Sequence, residues 1–333
     1  MISNILKKLL EGNDLRIDEA YYVMDKIMSG ELDNIEISAY LVALQGKGES
    51  IDEITGSCMA IREHCKRVNF EDEHLVDTCG TGGDGQGTFN ISTVSAFVVA
   101  GAGIPVAKHG NRAVSGKCGS ADLLEELKVD INMSHDKVGE SLRDNCFAFL
   151  FAPNMHPAMA NVMPVRKKLK LRTIFNILGP LNNPAFVKRQ VIGVFHKKHT
   201  ENMAKVLIGL GSKHLLVVSA EDGGDEISLT GKTIVTEAKG EEIINYTVSP
   251  EDFGFKRCLP EDIAGGDAGK SAELSLSVLN GEKSPLRHAV ILNAGAAIYV
   301  SGKASNIKEG IEMAAESIDS KKALNILNSL RVY

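Results

Sequence analysis

The chain has 333 residues, of which 44% are hydrophobic and 24% are charged, and its formal net charge is −6. This length allows a large core and suggests two domains, while the acidic balance without a polybasic run disfavours nucleic acid or an anionic membrane as a partner. The start of the chain lacks the apolar run of a signal peptide, and no stretch is long enough to span a bilayer. The six cysteines include no CxxC pair, so we expect a cytoplasmic protein with reduced thiols packed as small apolar side chains.

Residues 1–70 carry only helical patterns. Apolar side chains recur at helical spacing in the segments ILKKLL, IDEAYYVMDKIM, IEISAYLVALQGKG and IDEITGSCMAIREHC. Asp33 or Asn34, and the pair Glu49-Ser50, are suitable caps where these segments meet. The short connections predict an antiparallel cluster of helices.

From residue 75 onward, strand and helix patterns alternate. Strands are predicted in LVDT, IPVAK, FAFLFA, VIGVF and HLLVVSA, and helices in ISTVSAFVVAGAG, SADLLEELK, DKVGESLRDN and residues 201–210. Residues 227–250 are typical of antiparallel hairpins, and the tail from GKSAELSLSVLNG onward is helical. This order predicts an α/β fold with a largely parallel central sheet.

The first strand leads into a glycine-rich segment, DTCGTGGDGQGTFNIST at residues 77–93. A strand, a glycine loop and the start of a helix together aim backbone N–H groups at an anion. The segment matches GxGxxG, but a dinucleotide site is disfavoured because the helix begins near Asn90 and the second strand ends in the basic residues Lys108 and His109. No GK[ST] follows, so a Walker A loop is excluded. A phosphate or pyrophosphate cradle is favoured over a purely structural loop.

A second polar loop, KHGNRAVSGKCGSADLLEEL, follows the second strand. It places the cations Lys108, Arg112 and Lys117 within ten residues. Ser120 is suited to cap a helix that starts at Ala121. A basic run is often only a solvated face, but two such loops at the carboxyl ends of successive strands lie where open α/β sheets bind ligands.

Several motifs together resemble those of the anthranilate phosphoribosyltransferase family. They are DTCGTGGDG with NIST, KHGNR, GSADLLEEL, FAPNMHPAM, VRKKLKLRTIFNILGPLNNP, GGDEIS and GGDAGKSAEL, in this order along nearly the whole chain. The resemblance implies a small N-terminal helical domain plus a larger α/β domain with a central, mostly parallel sheet, of the nucleoside phosphorylase and phosphoribosyltransferase type. Residues 1–70 would be the helical domain, through which a homodimer forms. Residues 71–333 would be the catalytic domain, with part of 165–190 returning to the helical domain.

The resemblance also implies the reaction, which is Mg²⁺-dependent transfer of the phosphoribosyl group of phosphoribosyl pyrophosphate to the amine of anthranilate. By resemblance, the residues that bind phosphoribosyl pyrophosphate are Gly80, Gly82, Gly83, Asp84, Thr88, Asn90, Ile91, Ser92, Thr93, Lys108, His109, Gly110, Asn111, Arg112, Ala113, Val114, Ser115, Gly116 and Ser120. Those that bind anthranilate are Gly80, His109, Asn111, Arg166 and Gly179. Lys108, Asp84 and His109 are the candidate catalytic residues, with Lys108 supplying charge to a phosphate and His109 a candidate proton acceptor.

The metal is expected as two Mg²⁺ ions held by Ser92, Asp225 and Glu226. Mg²⁺ prefers oxygen ligands and needs only one or two carboxylates beside substrate oxygens. Taken alone, such an acidic pair is usually a solvated turn. The role of Asp84 stays open, since its carboxylate could accept from its own loop, face the metal or lie toward the amine.

Two rival functions follow from the same residues. A pyrimidine nucleoside phosphorylase shares the fold and similar KHG and SADLLE segments, but Arg166, NILGPLNNP and GGDEIS favour the transferase. A non-catalytic homologue that binds nucleic acid is disfavoured by the acidic net charge and by the presence of Asp225 and Glu226.

Overall fold

The computed structural model describes residues 2–83, 85–113 and 116–331. The expectations for Asp84, Val114 and Ser115 fall outside these residues. The chain begins with the predicted cluster of four helices, which are α1 (Ile2–Leu10), α2 (Ile17–Met28), α3 (Asn34–Lys47) and α4 (Ile51–Glu63).

Side chains predicted to cap the helices do so at two of the joints in this cluster. The carboxylate of Asp33 accepts from the second and third amides of α3, and the hydroxyl of Ser50 accepts from Glu53 N. Each cap satisfies N–H groups that have no partner inside the helix, so each fixes where its helix starts.

A seven-stranded sheet forms the centre of the rest of the chain, in the order β3-β2-β1-β4-β5-β6-β7. The strands are β1 (Val76–Gly80), β2 (Val106–Gly110), β3 (Phe147–Phe151), β4 (Arg189–Gly193), β5 (His214–Ala220), β6 (Thr233–Lys239) and β7 (Glu242–Val248). The first five are parallel, and β6 and β7 add one antiparallel hairpin at the edge. The predicted mostly parallel sheet is confirmed, but residues 227–250 contain one hairpin instead of several.

Helices cover both faces of the sheet. They are α5 (Ile91–Gly101), α6 (Ser120–Glu126), α7 (His135–Asn145), α8 (Ala152–Met155), α9 (Met163–Leu169), α10 (Phe175–Leu181), α11 (Thr200–Gly209), α12 (Ala268–Leu279), α13 (Pro285–Ser301), α14 (Ile307–Asp319) and α15 (Lys322–Leu330). In the described part of the chain, no helix combines the length and apolar character that crossing a membrane requires.

Alternate side chains of the strands join two different apolar clusters. Val191 and Leu216 pack with α5 and the C-terminal helices, while Ile192 and Val217 pack with α11 and the N-terminal helices. This alternation is the two-residue period of a strand that is buried on both faces. Helices α9 and α10 join the second cluster, where they pack on α3 and α4.

The order of the strands reverses between β1 and β4. From β1 the chain moves outward to β2 and β3, and it returns to the other side of β1 with β4 and β5. A crevice at the carboxyl ends of the strands opens at such a reversal, and ligands of open α/β sheets bind there. The glycine loop leaves β1 at this point.

Candidate active site

Two glycines at the ends of β1 and β4 allow an acidic turn to lie on the sheet edge. Gly80 and Gly193 are paired in register. A Cβ atom on Gly80 would lie 2.3 Å from Asp225 Oδ2, and one on Gly193 would lie 1.4 Å from the Asp225 carbonyl oxygen. Only residues without a side chain permit this approach, so the two glycines place the predicted metal ligands at the strand reversal.

The acidic turn is bound to the main chain of the loop and of α5. Gly82 N donates to Asp225 Oδ2 at 2.8 Å, and Ser92 N donates to Glu226 Oε1 at 3.0 Å. The structure therefore brings Ser92, Asp225 and Glu226, the three predicted metal ligands, to the same place. Carboxylates at the start of α5 are also favoured by the positive end of its dipole.

The far end of the glycine loop is attached to another segment. Phe89 N donates to Ile263 O at 3.0 Å, and Gly265 N donates to Gly87 O at 2.9 Å. Thr88 forms an antiparallel bridge with Ala264 between these two bonds. The far end of the loop is therefore held by the segment at residues 263–265.

The start of α5 lies directly after this loop. The Asn90 side chain donates to Cys118 O at 3.1 Å and so ties the two polar loops together. Ile91 and Thr93 are buried beneath, at 2% and 1% exposure, so any contact they make with a ligand must come from the main chain.

Lys108 is buried below the loop, at 2% exposure. Its Nζ donates to Thr78 O at 2.6 Å and to Ser92 Oγ at 3.4 Å. The structure thus places the ammonium group under the start of α5, where its charge acts on the crevice from beneath Ser92.

A buried carboxylate that the sequence analysis did not single out supports this lysine. Asp77 accepts from His109 N at 3.2 Å and from Asn183 Nδ2 at 2.8 Å. Burial raises the pKa of Asp77, and the positive charge of Lys108 opposes that rise. An acid inside the apolar strand pattern LVDT was the available signal, because a carboxylate there needs a partner.

Two buried histidine rings lie side by side, with 5.2 Å between the centroids of His109 and His156. Burial lowers the pKa of His109 to about 3, an effect that the Gly179 backbone partly opposes, and it lowers that of His156 to about 4. Both imidazoles are therefore neutral near pH 7. His156 was not predicted, although FAPNMHPAM was among the recognised motifs.

Arg166 and Gly179, the other residues predicted for anthranilate, lie on α9 and α10. The half-buried Arg166 guanidinium lies 5.4 Å from the centroid of the Phe175 ring, and burial lowers its pKa. Within the described residues it forms no ion pair, and its only side-chain hydrogen-bond contact is Met163 Sδ at 4.0 Å. Gly179 is exposed and faces open space.

Ser120 holds the second loop and does not cap α6, so that prediction is wrong. The helix begins at Ser120 itself, and the hydroxyl bonds to both Asn111 N and Asn111 O, at 3.2 and 3.1 Å. Asp122 supplies the cap instead, because its carboxylate accepts from Gly119 N at 2.9 Å. A Cβ atom on Gly110 would lie 2.2 Å from the Ser120 hydroxyl, so this contact requires a glycine.

Arg112 and its neighbours show how the remaining part of this loop is held. Arg112 is bound to Asp122 at 3.0 Å and to Glu125 at 2.8 Å. Ala113 N donates to the same Asp122 carboxylate at 2.9 Å. Gly116 has open space around it. The Arg112 side chain is therefore directed toward α6.

The donor set at the acidic turn fits a hard divalent cation that is shared with a substrate. Asp225, Glu226 and the Ser92 hydroxyl offer oxygen atoms alone. Among the described residues, no group of three or more histidine, cysteine, aspartate or glutamate side chains forms a cage for a metal ion. Mg²⁺ is usually held in this way, by one or two carboxylates and substrate phosphates.

Comparisons with known proteins agree with this fold of a helical and an α/β part. Family models described as the helical bundle domain and the a/b domain of a glycosyl transferase family match residues 3–65 and 72–324. The chain is 49% identical to anthranilate phosphoribosyltransferase of Methanobrevibacter smithii, over 100% of this chain and 99% of the relative.

Solved structures give the same result. The crystal structure of anthranilate phosphoribosyltransferase from Thermus thermophilus superposes with a TM-score of 0.93 at 43% identity, over 98% of this chain and 97% of that chain. The Saccharomyces cerevisiae enzyme in complex with PRPP (phosphoribosyl pyrophosphate) and Mg gives a TM-score of 0.90 at 29% identity, over 99% of this chain and 96% of that chain. The same yeast enzyme with 4-fluoroanthranilate gives 0.89 at 29% identity, over 99% and 96%.

Proposed function

The chain belongs to the anthranilate phosphoribosyltransferase family, and from this premise we propose that it transfers the phosphoribosyl group of 5-phosphoribosyl 1-pyrophosphate (PRPP) to the amine of anthranilate. The products are N-(5-phosphoribosyl)anthranilate and pyrophosphate, and the reaction is the second step from chorismate to L-tryptophan. The observation that carries the proposal is the acidic turn Asp225-Glu226 bound to the glycine loop and to the start of α5. None of the comparisons supports the pyrimidine nucleoside phosphorylase alternative.

The main-chain amides of the two loops and of the α5 start are assigned to the diphosphate of PRPP. As the bond to the ribose breaks, negative charge grows on the departing pyrophosphate, and fixed N–H dipoles stabilise that charge. The buried ammonium group of Lys108 adds a positive charge under the same N–H groups. Its contacts with Thr78 O and Ser92 Oγ support a role in electrostatics and in positioning Ser92.

Asp225, Glu226 and Ser92 are the residues that would hold Mg²⁺. The metal, when bound, offsets charge on the diphosphate oxygens and so makes pyrophosphate a better leaving group. The yeast relative is described in complex with PRPP and Mg, which supports this assignment. The expected number of two ions stays a prediction.

Arg166 is assigned to the anthranilate carboxylate, together with Gly80, His109, Asn111 and Gly179. A guanidinium without a carboxylate partner in the described residues offers the forked donors that a carboxylate matches. The complex of the yeast relative with 4-fluoroanthranilate supports an anthranilate site in this family. The neutral ring of His109 is suited to accept a hydrogen bond from the amine. An aromatic amine keeps a free lone pair at neutral pH, so catalysis rests mainly on positioning and charge stabilisation.

The helical domain is assigned to the interface of a homodimer. Three large apolar side chains of α1 and α3 are exposed there: Leu10 at 77%, Ile35 at 80% and Val42 at 46%. Apolar side chains this exposed are favoured at an interface between chains. Sedimentation equilibrium of the whole chain measures the oligomeric state directly.

Anthranilate fluorescence tests the proposed reaction. Folded protein mixed with anthranilate, PRPP and Mg²⁺ should remove the fluorescence, and omission of Mg²⁺ or PRPP should prevent this. A stable signal at high protein concentration contradicts the proposal. Phosphate-dependent release of thymine from thymidine by the same sample would instead support the phosphorylase.

A further inference from the structure

Arg172, in the connection between α9 and α10, reaches the glycine loop. Its guanidinium donates to Gly83 O at 2.8 Å. The centre of the same guanidinium lies 4.1 Å from the centroid of the Phe195 ring. Stacking on a ring restricts the guanidinium plane, and the fork of donors then has a fixed direction. A lysine or a freely rotating arginine would not be aimed in this way.

The partners of Arg172 are themselves attached to the sheet edge and to the helical domain. Phe195 follows β4, and its N–H donates to Thr81 Oγ1 at 3.3 Å, while Thr81 N donates to Gly193 O at 2.9 Å. With its amide oriented to satisfy its neighbours, Gln45 of α3 donates to the Arg172 carbonyl at 3.0 Å. The arginine thus connects α3 with the first residues of the glycine loop.

The loop is held at consecutive residues by side chains of two different segments. Gly82 is bound by the carboxylate of Asp225, and Gly83 is bound by the guanidinium of Arg172. Both glycines have positive φ, at 62° and 69°, and neither has a side chain that could restrict it. The position of this part of the loop therefore depends on bonds supplied by other segments.

We propose that Arg172 is a positioning residue, which holds the glycine loop in the form that binds PRPP. This inference rests on the proposed function, because it concerns the affinity for that substrate. Ordering a loop before the substrate arrives removes part of the entropy cost of binding. Loss of the contact should therefore weaken PRPP binding equally in the ground state and the transition state, which raises KM and leaves kcat nearly unchanged.

Three variants of the whole protein test this. Arg172→Met removes the guanidinium, and Phe195→Leu removes the ring that aims it while keeping the charge. Arg143→Met, at an exposed arginine of α7, is the control for loss of one positive charge. Steady-state kinetics give kcat and KM for PRPP, and hydrogen–deuterium exchange without substrate gives the exchange rates of the Thr81 and Gly82 amides.

For Arg172→Met we expect about a tenfold higher KM for PRPP, the effect of one hydrogen bond to a charged group, with kcat within about twofold. The Thr81 and Gly82 amides should exchange faster by a similar factor. Phe195→Leu should change both quantities in the same direction, and Arg172→Met should have a smaller effect in that background, since the two side chains act together. Arg143→Met should match the wild type.

Several outcomes would overturn the inference. If Phe195→Leu leaves KM unchanged while Arg172→Met raises it, the arginine acts by charge alone. Unchanged exchange at Thr81 and Gly82, or an unchanged KM, also excludes the role. If wild-type protein has no transferase activity, the proposed function fails, and the exchange rates alone then decide whether Arg172 holds the loop.

Discussion

Gly193→Ala moves the acidic turn without altering any predicted ligand. The added Cβ atom would lie 1.4 Å from the Asp225 carbonyl oxygen, and Cβ atoms in proteins essentially never come within 3.0 Å of such a neighbour. The difference, 3.0 − 1.4, means that the main chain at Asp225 must retreat by about 1.6 Å. That neighbour is backbone, so no side-chain rotation can relieve the clash.

Such a displacement should separate the carboxylates from their present partners. Asp225 would lose Gly82 N, and Glu226 would lose Ser92 N. A misplacement of about 1 Å at a reacting site costs about a hundredfold in rate, so kcat should fall by about that factor or more. The Mg²⁺ concentration that gives half of the maximal rate should also rise, because the two carboxylates no longer lie close enough together to share one ion.

The assay is the loss of anthranilate fluorescence during a Mg²⁺ titration, with circular dichroism to confirm folding. Gly209→Ala is the matched control, since a Cβ atom there meets nothing within 4 Å. Gly80→Ala should be milder, because its Cβ atom would come within 3.0 Å only of side-chain atoms of Asp225 and would lie 3.4 Å from the Asp225 carbonyl oxygen. A folded Gly193→Ala enzyme with wild-type turnover and Mg²⁺ dependence would refute the reasoning.

Three further predictions concern the charges of the site. Arg166→Met should raise KM for anthranilate by about tenfold to a hundredfold, through loss of a charge-assisted pair, and leave KM for PRPP unchanged; steady-state kinetics with each substrate varied decide this. Asp225→Asn combined with Glu226→Gln should reduce Mg²⁺-dependent turnover without lowering Tm, and unchanged turnover would remove the metal role. In the unfolded state His109 and His156 take up protons as the pH falls below about 6.5. In the folded state their pKa values are lowered to about 3 and about 4, so the folded protein loses stability as the pH falls from about 6.5 toward these values. At pH 5 each of these two histidines should lower the free energy of unfolding by about 2 kcal/mol. In urea titrations, His156→Asn should flatten the pH dependence of this free energy, and an identical slope would contradict the assigned burial.

The elements were predictable from the sequence because their patterns are local. LVDT, FAFLFA and HLLVVSA are short apolar runs bounded by turns, and these became β1, β3 and β5. Their carboxyl ends share one edge, so the meeting of the glycine loop with the KHGNR loop followed from the parallel sheet. The same reasoning predicts that the end of β4 lies at this edge. It does not predict that Gly193, at the end of β4, contacts Asp225.

The residues that the sequence analysis missed act through contacts between distant parts of the chain. Asp77 and Asn183 are 106 residues apart, and Arg172 and Gly83 are 89 residues apart. No periodicity encodes such pairs, because each side chain alone fits a strand, a turn or a solvated face equally well. The error at Ser120 has a different cause. The capping preference is correct for serine in general, but α6 begins one residue earlier, with Gly119 at its N-cap, and the Ser120 hydroxyl bonds to Asn111 instead.

The contacts of the acidic turn give a physical reason to expect a divalent cation. Gly82 N and Ser92 N, two amides assigned to the diphosphate, are occupied here by Asp225 and Glu226. A diphosphate that approached them would meet two carboxylates of its own sign, and like charges at such a short distance repel each other. A divalent cation bound by the two carboxylates and the diphosphate would offset this repulsion. Without a divalent cation, PRPP should therefore bind weakly, and not merely react slowly.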